Sequence, residues 1–164
     1  MKKKLTTVDF RGTKEQEEKL LAVIEKHAGE KGAMMPILQE AQEIYGYLPI
    51  EVQRIIADKT GTPLEEIYGI VSFYAQFKLN PDGEYAIAVC LGTACYVKGS
   101  GDIIDAISQK LNVPIGSTSP DGKYSIEATR CIGACGLAPV LTVNGEVYGR
   151  LTVDDVDSIL AKYK

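Results

Sequence analysis

Apolar side chains recur at helical spacing through residues 13–80, and glycines and prolines divide this stretch into four segments. The pattern therefore predicts four short helices. The first helix is predicted from a capping box at Thr13-x-x-Gln16 to a stop at Gly29, and the second from Pro36, as its first helical residue, to a stop at Gly46. The third is predicted to start at Pro49, and the fourth at Thr62-Pro63-x-Glu65, before the apolar stretch from Ile67 to Phe77. Short helices are stable only when their apolar faces pack together, so we expect a helical bundle.

The pattern changes after Asn80-Pro81-Asp82-Gly83, which is a strong chain break. Short apolar runs predict strands, and helical spacing returns twice. Strands are predicted at 85–91 and 123–129, and a hairpin of Val140–Val143 and Val147 around Asn144-Gly145. One helix is predicted around Ile103, Ile104, Ile107 and Leu111, and another is opened by Thr152-x-x-Asp155. This order predicts an α/β layer. We therefore expect two domains, a helical bundle at 1–83 and an α/β domain at 84–164.

Charge is spread evenly along the chain. The net charge is −4, and residues 1–83 hold 11 Lys and Arg against 13 Asp and Glu, while residues 84–164 hold 7 against 9. Proteins that bind nucleic acid need a concentrated basic footprint, so the composition argues against that class. The basic run Lys2-Lys3-Lys4 is interpreted as a solvated N-terminal tail rather than an anchor.

No apolar stretch approaches the roughly 18 residues that a membrane-spanning helix needs. The N-terminus also lacks the apolar segment of a signal peptide. The sequence therefore predicts a cytoplasmic protein with no direct membrane insertion. Because thiols stay reduced in that compartment, paired cysteines favour metal or redox chemistry over structural disulfides.

The four cysteines lie in the second predicted domain and form two tight pairs. Cys90 and Cys95 form a C-x4-C pair after one predicted strand, and Cys131 and Cys135 form a C-x3-C pair after another. Both loops are rich in Gly and Ala, which lets backbone N–H groups approach the sulfurs and tune a cluster. A [2Fe–2S] cluster takes four thiolates, two on each iron, and this chain supplies four. The pattern thus indicates one such cluster.

Other interpretations of the cysteines differ in their requirements. A structural zinc site with four thiolates occurs with similar spacing, so the spacing alone does not exclude this alternative. A thioredoxin-like dithiol needs C-x-x-C, which the chain lacks. A Rieske centre needs two histidines, and the chain has only His27. The spacing also differs from the C-x4-C-x2-C pattern of plant-type ferredoxins.

The remaining candidates for chemistry are weaker. Gly99-Ser100-Gly101 precedes a predicted helix, but it lacks the P-loop lysine and the full G-x-G-x-x-G pattern, so it is interpreted as an ordinary helix start. His27 is interpreted as a surface or packing residue. A group of aromatics is interpreted as core or interface: Tyr45, Tyr47, Tyr68, Phe73, Tyr74 and Phe77.

Several segments together carry a family resemblance. They are Ala41-Gln42, Tyr45-Gly46-Tyr47-Leu48-Pro49, the run from Ile67 to Tyr74 with Phe77, Cys90-Leu-Gly-Thr-Ala-Cys95, Asp121-Gly122, Cys131-Ile-Gly-Ala-Cys135 and Ala138-Pro139-Val140. On these motifs, which span about residues 35 to 160, the chain resembles the thioredoxin-like [2Fe–2S] subunit of NADH dehydrogenases, the 24-kDa subunit of NADH:quinone oxidoreductase. The same family includes the small (gamma) subunits of NAD(P)-linked, electron-bifurcating hydrogenases and of formate dehydrogenases. One difference is Tyr96, where many members carry His.

The resemblance implies a fold, a site and partners. It implies a helical bundle followed by a thioredoxin-like [2Fe–2S] ferredoxin domain, with Cys90, Cys95, Cys131 and Cys135 as the cluster ligands. It also implies a flavin- and NAD-binding iron–sulfur subunit that holds FMN and NAD(H), together with a larger iron–sulfur catalytic subunit. The match favours the cluster over zinc.

The expected function is electron transfer within a multi-subunit NAD(P)(H)-dependent oxidoreductase. A [2Fe–2S] cluster moves one electron at a time, whereas NADH delivers two electrons as a hydride, so a flavin must separate them. The chain shows no flavin or nicotinamide motif, and we expect no hydride chemistry on it alone. We expect a soluble NAD-linked hydrogenase, of a type that can bifurcate electrons. The alternatives are the equivalent subunit of respiratory NADH:quinone oxidoreductase and, more remotely, a zinc-stabilised interaction module.

Overall fold

The computed structural model describes residues 8–164, and these fall into two compact units that divide between Pro81 and Asp82. The Lys2-Lys3-Lys4 run lies outside the described residues. The chain order is four helices followed by a mixed sheet with further helices. The predicted fold class, a helical bundle followed by an α/β unit, is confirmed.

The first unit consists of four short helices around one apolar core. They are α1 (Lys14–Lys26), α2 (Met34–Tyr45), α3 (Ile50–Thr60) and α4 (Leu64–Phe73). The capping box predicted for α1 is present: Gln16 N–H donates to Thr13 Oγ1 at 3.2 Å, and Thr13 N–H donates to Gln16 Oε1 at 3.0 Å. Each helix contributes apolar side chains to the core, which includes Leu20, Leu38, Ile56, Ile67 and Phe77.

Two predicted helix starts in this unit were wrong. α2 begins at Met34, so Pro36 lies inside the first turn, where its missing N–H costs nothing because the first N–H groups have no intrahelical partner. α4 begins at Leu64, which makes Pro63 the capping residue in place of Thr62. This helix ends at Phe73, so the apolar stretch extends beyond it to Phe77.

The second unit is a five-stranded sheet with helices. Its elements are β1 (Tyr85–Cys90), α5 (Thr93–Val97), α6 (Ser100–Leu111), β2 (Ser117–Thr118), β3 (Tyr124–Thr129), a 3₁₀ turn (Cys135–Leu137), β4 (Leu141–Val143), β5 (Glu146–Tyr148), α7 (Asp155–Leu160) and a final 3₁₀ turn (Ala161–Tyr163). The strand order is β2-β3-β1-β4-β5. Only β1 and β3 pair in parallel, and α6 lies on the connection between them.

The hairpin predicted at Asn144-Gly145 joins β4 to β5, and both turn residues have positive φ, 50° and 85°. The last helix begins at Asp155, not at Thr152. The Asp155 carboxylate instead accepts hydrogen bonds from the backbone N–H and the hydroxyl of Thr152, which closes a turn ahead of the helix. No sequence signal predicted α5 or the two-residue β2.

The parallel pair sets the position of the cysteines. Cys90, the last residue of β1, is registered opposite Thr129, the last residue of β3. Parallel strands present their carboxyl ends at the same edge, so the loops that follow both strands leave the sheet together. Among residues 8–164, no helix combines the length and the apolar character that spanning a bilayer requires.

Candidate metal centre

Each cysteine occupies a distinct position at this edge of the sheet. Cys90 ends β1, and Cys95 lies on the short helix α5. Cys131 follows β3 by two residues, and Cys135 opens the 3₁₀ turn. All four are free thiols.

The two cysteine loops touch each other. A Cβ atom built on Gly92 would lie 3.1 Å from the Cβ of Cys131, so a side chain there would press one loop on the other. The Cys131 and Cys135 sulfurs lie 3.5 Å apart. The backbone N–H of Ile132 in the second loop and the Cys95 thiol in the first both lower the pKa of Cys90 by hydrogen bonding. The structure thus brings the four predicted cysteines into one neighbourhood, and their role as iron ligands stays a prediction.

Backbone N–H groups approach the sulfurs in both loops. Gly92 N–H donates to the Cys90 sulfur and Gly133 N–H donates to the Cys131 sulfur, each at 3.4 Å. The sequence predicted such donors only in general terms. Their signal is a Cys-x-Gly triplet that occurs once in each loop, as Cys90-Leu-Gly and Cys131-Ile-Gly.

Burial separates the two pairs. Cys90 and Cys95 are each only 2% exposed, and they pack in an apolar cluster with Ala138 and Val140. Cys131 and Cys135 are both exposed. The site therefore has a buried half and a half that faces solvent.

The thiols also influence one another electrostatically. Burial raises the pKa of Cys90, but hydrogen bonds from Gly92, Cys95 and Ile132 outweigh burial and leave the pKa below its ordinary value. Burial is the main cause that raises the pKa of Cys95. The pKa of Cys135 is raised chiefly because its thiol hydrogen-bonds to Cys131. A bound cation would relieve the repulsion between thiolates, since metals bind the deprotonated sulfur.

The chemistry of these donor atoms and the space between the two loops fit an iron–sulfur cluster. The donors are four thiols, two sulfurs already accept N–H bonds, and Gly92 leaves the room that a side chain would fill. Within the part of the chain that the structure describes, no group of three or more His, Cys, Asp or Glu side chains is placed to hold a metal ion. A two-iron cluster does not require such a group, because each iron takes two protein thiolates.

His27 lies in the helical unit and is 9% exposed between two carboxylates. Its Nε2 lies 2.7 Å from Glu40 Oε1, and its Nδ1 lies 2.8 Å from Glu30 Oε2. The interpretation of His27 as a packing residue agrees with this position. The aromatic group divides: Tyr47 and Phe77 are buried, whereas Phe73 is 80% exposed.

Comparisons with known proteins cover nearly the whole chain. A family profile described as thioredoxin-like [2Fe–2S] ferredoxin matches residues 20–164. The NADP-reducing hydrogenase subunit HndA of Solidesulfovibrio fructosivorans is 46% identical over 140 residues, which are 85% of this chain and 82% of that protein. An NADH-quinone oxidoreductase subunit of Aquifex aeolicus is 32% identical over 155 residues, 94% of this chain and 97% of that protein.

Solved structures agree on the fold. An NAD⁺-reducing [NiFe]-hydrogenase in the H2-reduced state superposes with a TM-score of 0.54 at 21% identity, over 77% of this chain. The matched part is 22% of that much longer chain. At this identity the likeness concerns the fold alone.

Proposed function

Because the chain belongs to the thioredoxin-like [2Fe–2S] ferredoxin family, we propose that Cys90, Cys95, Cys131 and Cys135 hold one [2Fe–2S] cluster. The chain then serves as an electron-transfer subunit of a multi-subunit NAD(P)(H)-dependent oxidoreductase. The observation that carries the proposal is the meeting of two cysteine loops at one sheet edge, with a Gly N–H directed at a sulfur in each loop.

The protein's own residues prepare the site for single-electron traffic. A bound [2Fe–2S] cluster supplies one-electron oxidation and reduction. Gly92 and Gly133 donate N–H groups to sulfur, which stabilises negative charge there. Cys90 and Cys95 are shielded from water, while Cys131 and Cys135 face solvent and give electrons the shorter route to a partner.

A flavoprotein partner is part of this proposal. NADH gives up a hydride, and a flavin is needed to pass its two electrons on singly. Since the chain carries no flavin or nicotinamide motif, we assign FMN and NAD(H) to a flavin- and NAD-binding iron–sulfur subunit. A larger iron–sulfur subunit would hold the final catalytic site, and we place the assembly in the cytoplasm.

The hydrogenase branch is the preferred setting. The NADP-reducing hydrogenase subunit shares 46% identity with this chain, compared with 32% for the Aquifex NADH-quinone oxidoreductase subunit. A soluble NAD(P)-linked hydrogenase is therefore our first assignment, and the respiratory NADH:quinone oxidoreductase is the second. Electron bifurcation remains a hypothesis about the whole complex.

The experiment compares NADH and dithionite as reductants of the cluster-loaded chain. Dithionite should bleach the visible absorbance and produce the electron paramagnetic resonance signal of a reduced [2Fe–2S] centre. NADH should do neither until the flavin- and NAD-binding subunit is added. Rapid reduction by NADH without that subunit would contradict the proposal and point to a nicotinamide site on this chain.

A further inference from the structure

Exposed apolar side chains concentrate around the cysteines. Eight large apolar side chains are exposed among the described residues. Four of them lie within two residues of a cysteine: Tyr96 at 64%, Val97 at 79%, Ile132 at 43% and Leu137 at 42%. Exposed apolar side chains that gather around one site are typical of interaction surfaces on otherwise polar proteins.

The same loops carry more positive than negative charge. Residues 91–99 and 130–140 contain Lys98 and Arg130 and no Asp or Glu, and the loop at 149–154 contains Arg150 and one acidic residue, Asp154. All three cations are exposed. The unit as a whole is acidic, because residues 82–164 hold ten Asp and Glu against seven Lys and Arg. The edge with the cysteines thus has the opposite sign to the rest of the unit.

Arg150 is held beside the cysteine loop at a conformational cost. Its φ is +54°, whereas the two other non-glycine residues with positive φ, among those described, are Asn112 and Asn144. Asn tolerates this region and Arg does so rarely. The Arg150 N–H donates to the Leu137 carbonyl at 2.6 Å, which ties it to the turn that begins at Cys135. Strained residues of this kind cluster at functional sites.

We propose that Lys98, Arg130 and Arg150, together with Tyr96, Val97, Ile132 and Leu137, form a docking face for an apolar, acid-rimmed surface of the electron-donating flavoprotein subunit. This docking face deepens the proposed function and rests on it. The apolar side chains provide the area that binding buries, and the cations surround it as the polar rim. The loops that carry these residues are in contact, because Gly92 lies against Cys131 and the Arg150 N–H donates to the Leu137 carbonyl.

The charge arrangement favours an acidic partner over a basic one. Complementary charge around an interface raises the association rate and fixes orientation more than it raises affinity. An acidic unit that carries an anionic cluster would by itself repel an acidic partner. Three cations at this edge reverse that field locally, so an acidic partner would approach with the cysteine loops facing it.

Small charged reductants test the local field without a partner. The probes are the sulfur dioxide radical anion from dithionite, which leaves as sulfur dioxide, and the methyl viologen radical cation, which leaves as the dication. Each gives one electron to the cluster. In stopped-flow at low salt, Arg150→Glu should slow reduction by the anion and speed reduction by the cation by about four- to sixfold each, for a two-unit charge change across roughly 8 Å of water. Both effects should vanish at about 0.5 M salt.

The matched control is Lys123→Glu. Lys123 precedes β3, and Arg130 directly follows it, so the two lie roughly 20 Å apart at about 3.3 Å per residue. This variant makes the same charge change in the same unit and should leave both rates within about 1.5-fold of wild type, because across roughly 20 Å the interaction is less than half as strong and salt weakens it further. Equal effects of Lys123→Glu and Arg150→Glu on the two rates would contradict a local positive field at the cysteine loops.

The partner assay uses the full cluster-loaded chain with the co-expressed flavin- and NAD-binding subunit. The double variant Arg130→Glu/Arg150→Glu should slow NADH-dependent cluster reduction at least tenfold at low salt, with iron content, sulfide content and the final extent of dithionite reduction unchanged. Val97→Ser should slow it at low and high salt alike, since it removes apolar contact. If wild type is reduced and the double variant is reduced equally fast, the docking face is wrong and the proposed function stands. If NADH fails with wild type, the proposed function fails, and the small-reductant rates still decide the field.

Discussion

Replacement of Gly92 by Ala tests whether contact between the two cysteine loops supports the cluster. The φ of Gly92 is −59°, which Ala adopts without strain, and its N–H bond to the Cys90 sulfur would remain. The only change is a methyl group 3.1 Å from the Cβ and 3.3 Å from the Cα of Cys131. The substitution therefore separates the steric fit of the loops from their hydrogen bonding.

The expected cost follows from the distances. Carbon atoms pack best at about 3.5 to 4.0 Å, so the added methyl would sit roughly half an ångström too close to Cys131. The contacted atoms include backbone, which yields less readily than the end of a flexible side chain. Overpacking typically costs about 1 to 3 kcal/mol, and we expect about 1 to 2 kcal/mol here. If most of this free-energy cost destabilises the cluster-bound state, the cluster should be lost roughly five to thirty times faster than from wild type.

The assay follows loss of visible absorbance in the presence of an iron chelator under anaerobic conditions. Gly136→Ala is the control, because it adds the same methyl group to the second cysteine loop where nothing lies within 4 Å. Gly92→Ala should lose the cluster faster than wild type, and Gly136→Ala should match wild type. Equal retention by Gly92→Ala and wild type, or equal impairment of both variants, would refute the loop-contact argument.

Three further predictions concern other parts of the chain. Hydrogen bonds to Glu40 and then Glu30 raise the pKa of His27, so the stabilisation by its protonated form is complete below about pH 6.5 and is lost as pH rises through the raised pKa. His27→Gln should therefore lower the melting temperature at pH 6 and much less at pH 9, and an equal loss at both would exclude the charge effect. Residues 82–164 alone should bind the cluster after anaerobic reconstitution, because they include the Gly83 N–H that donates to Ser125 Oγ at 3.0 Å. A fragment that stays colourless and unfolded would show instead that cluster binding requires the helical unit. Cys131→Ser should lower cluster occupancy, since serine is a harder ligand for iron than thiolate, and unchanged iron content would remove Cys131 from the ligand set.

Local chemistry was predictable from the sequence where a few neighbouring residues decide the structure. The Thr13–Gln16 capping box and the Asn144-Gly145 turn formed as predicted, because each depends on side chains or φ preferences within four residues. The order of helices and strands followed from apolar periodicity for the same reason. Boundaries near prolines were less predictable, since Pro36 and Pro63 are tolerated at more than one position around a helix start.

Features that depend on distant residues left no such signal. The C-x4-C and C-x3-C spacing predicted a shared site, but nothing in it indicated that Cys90 and Cys95 are buried and Cys131 and Cys135 exposed. That difference arises from packing against Val140, some 45 residues beyond Cys95. The strained φ of Arg150 likewise depends on the Leu137 carbonyl, which the chain brings close only after β4 and β5 pair.

Metal and sulfide analysis of the anaerobically purified full-length chain tests the central claim most directly. Four thiolates and a [2Fe–2S] cluster predict about two iron and two acid-labile sulfide per chain, with a one-electron paramagnetic signal after dithionite reduction. One zinc per chain with no iron or sulfide would contradict the account and identify the four cysteines as a structural zinc site.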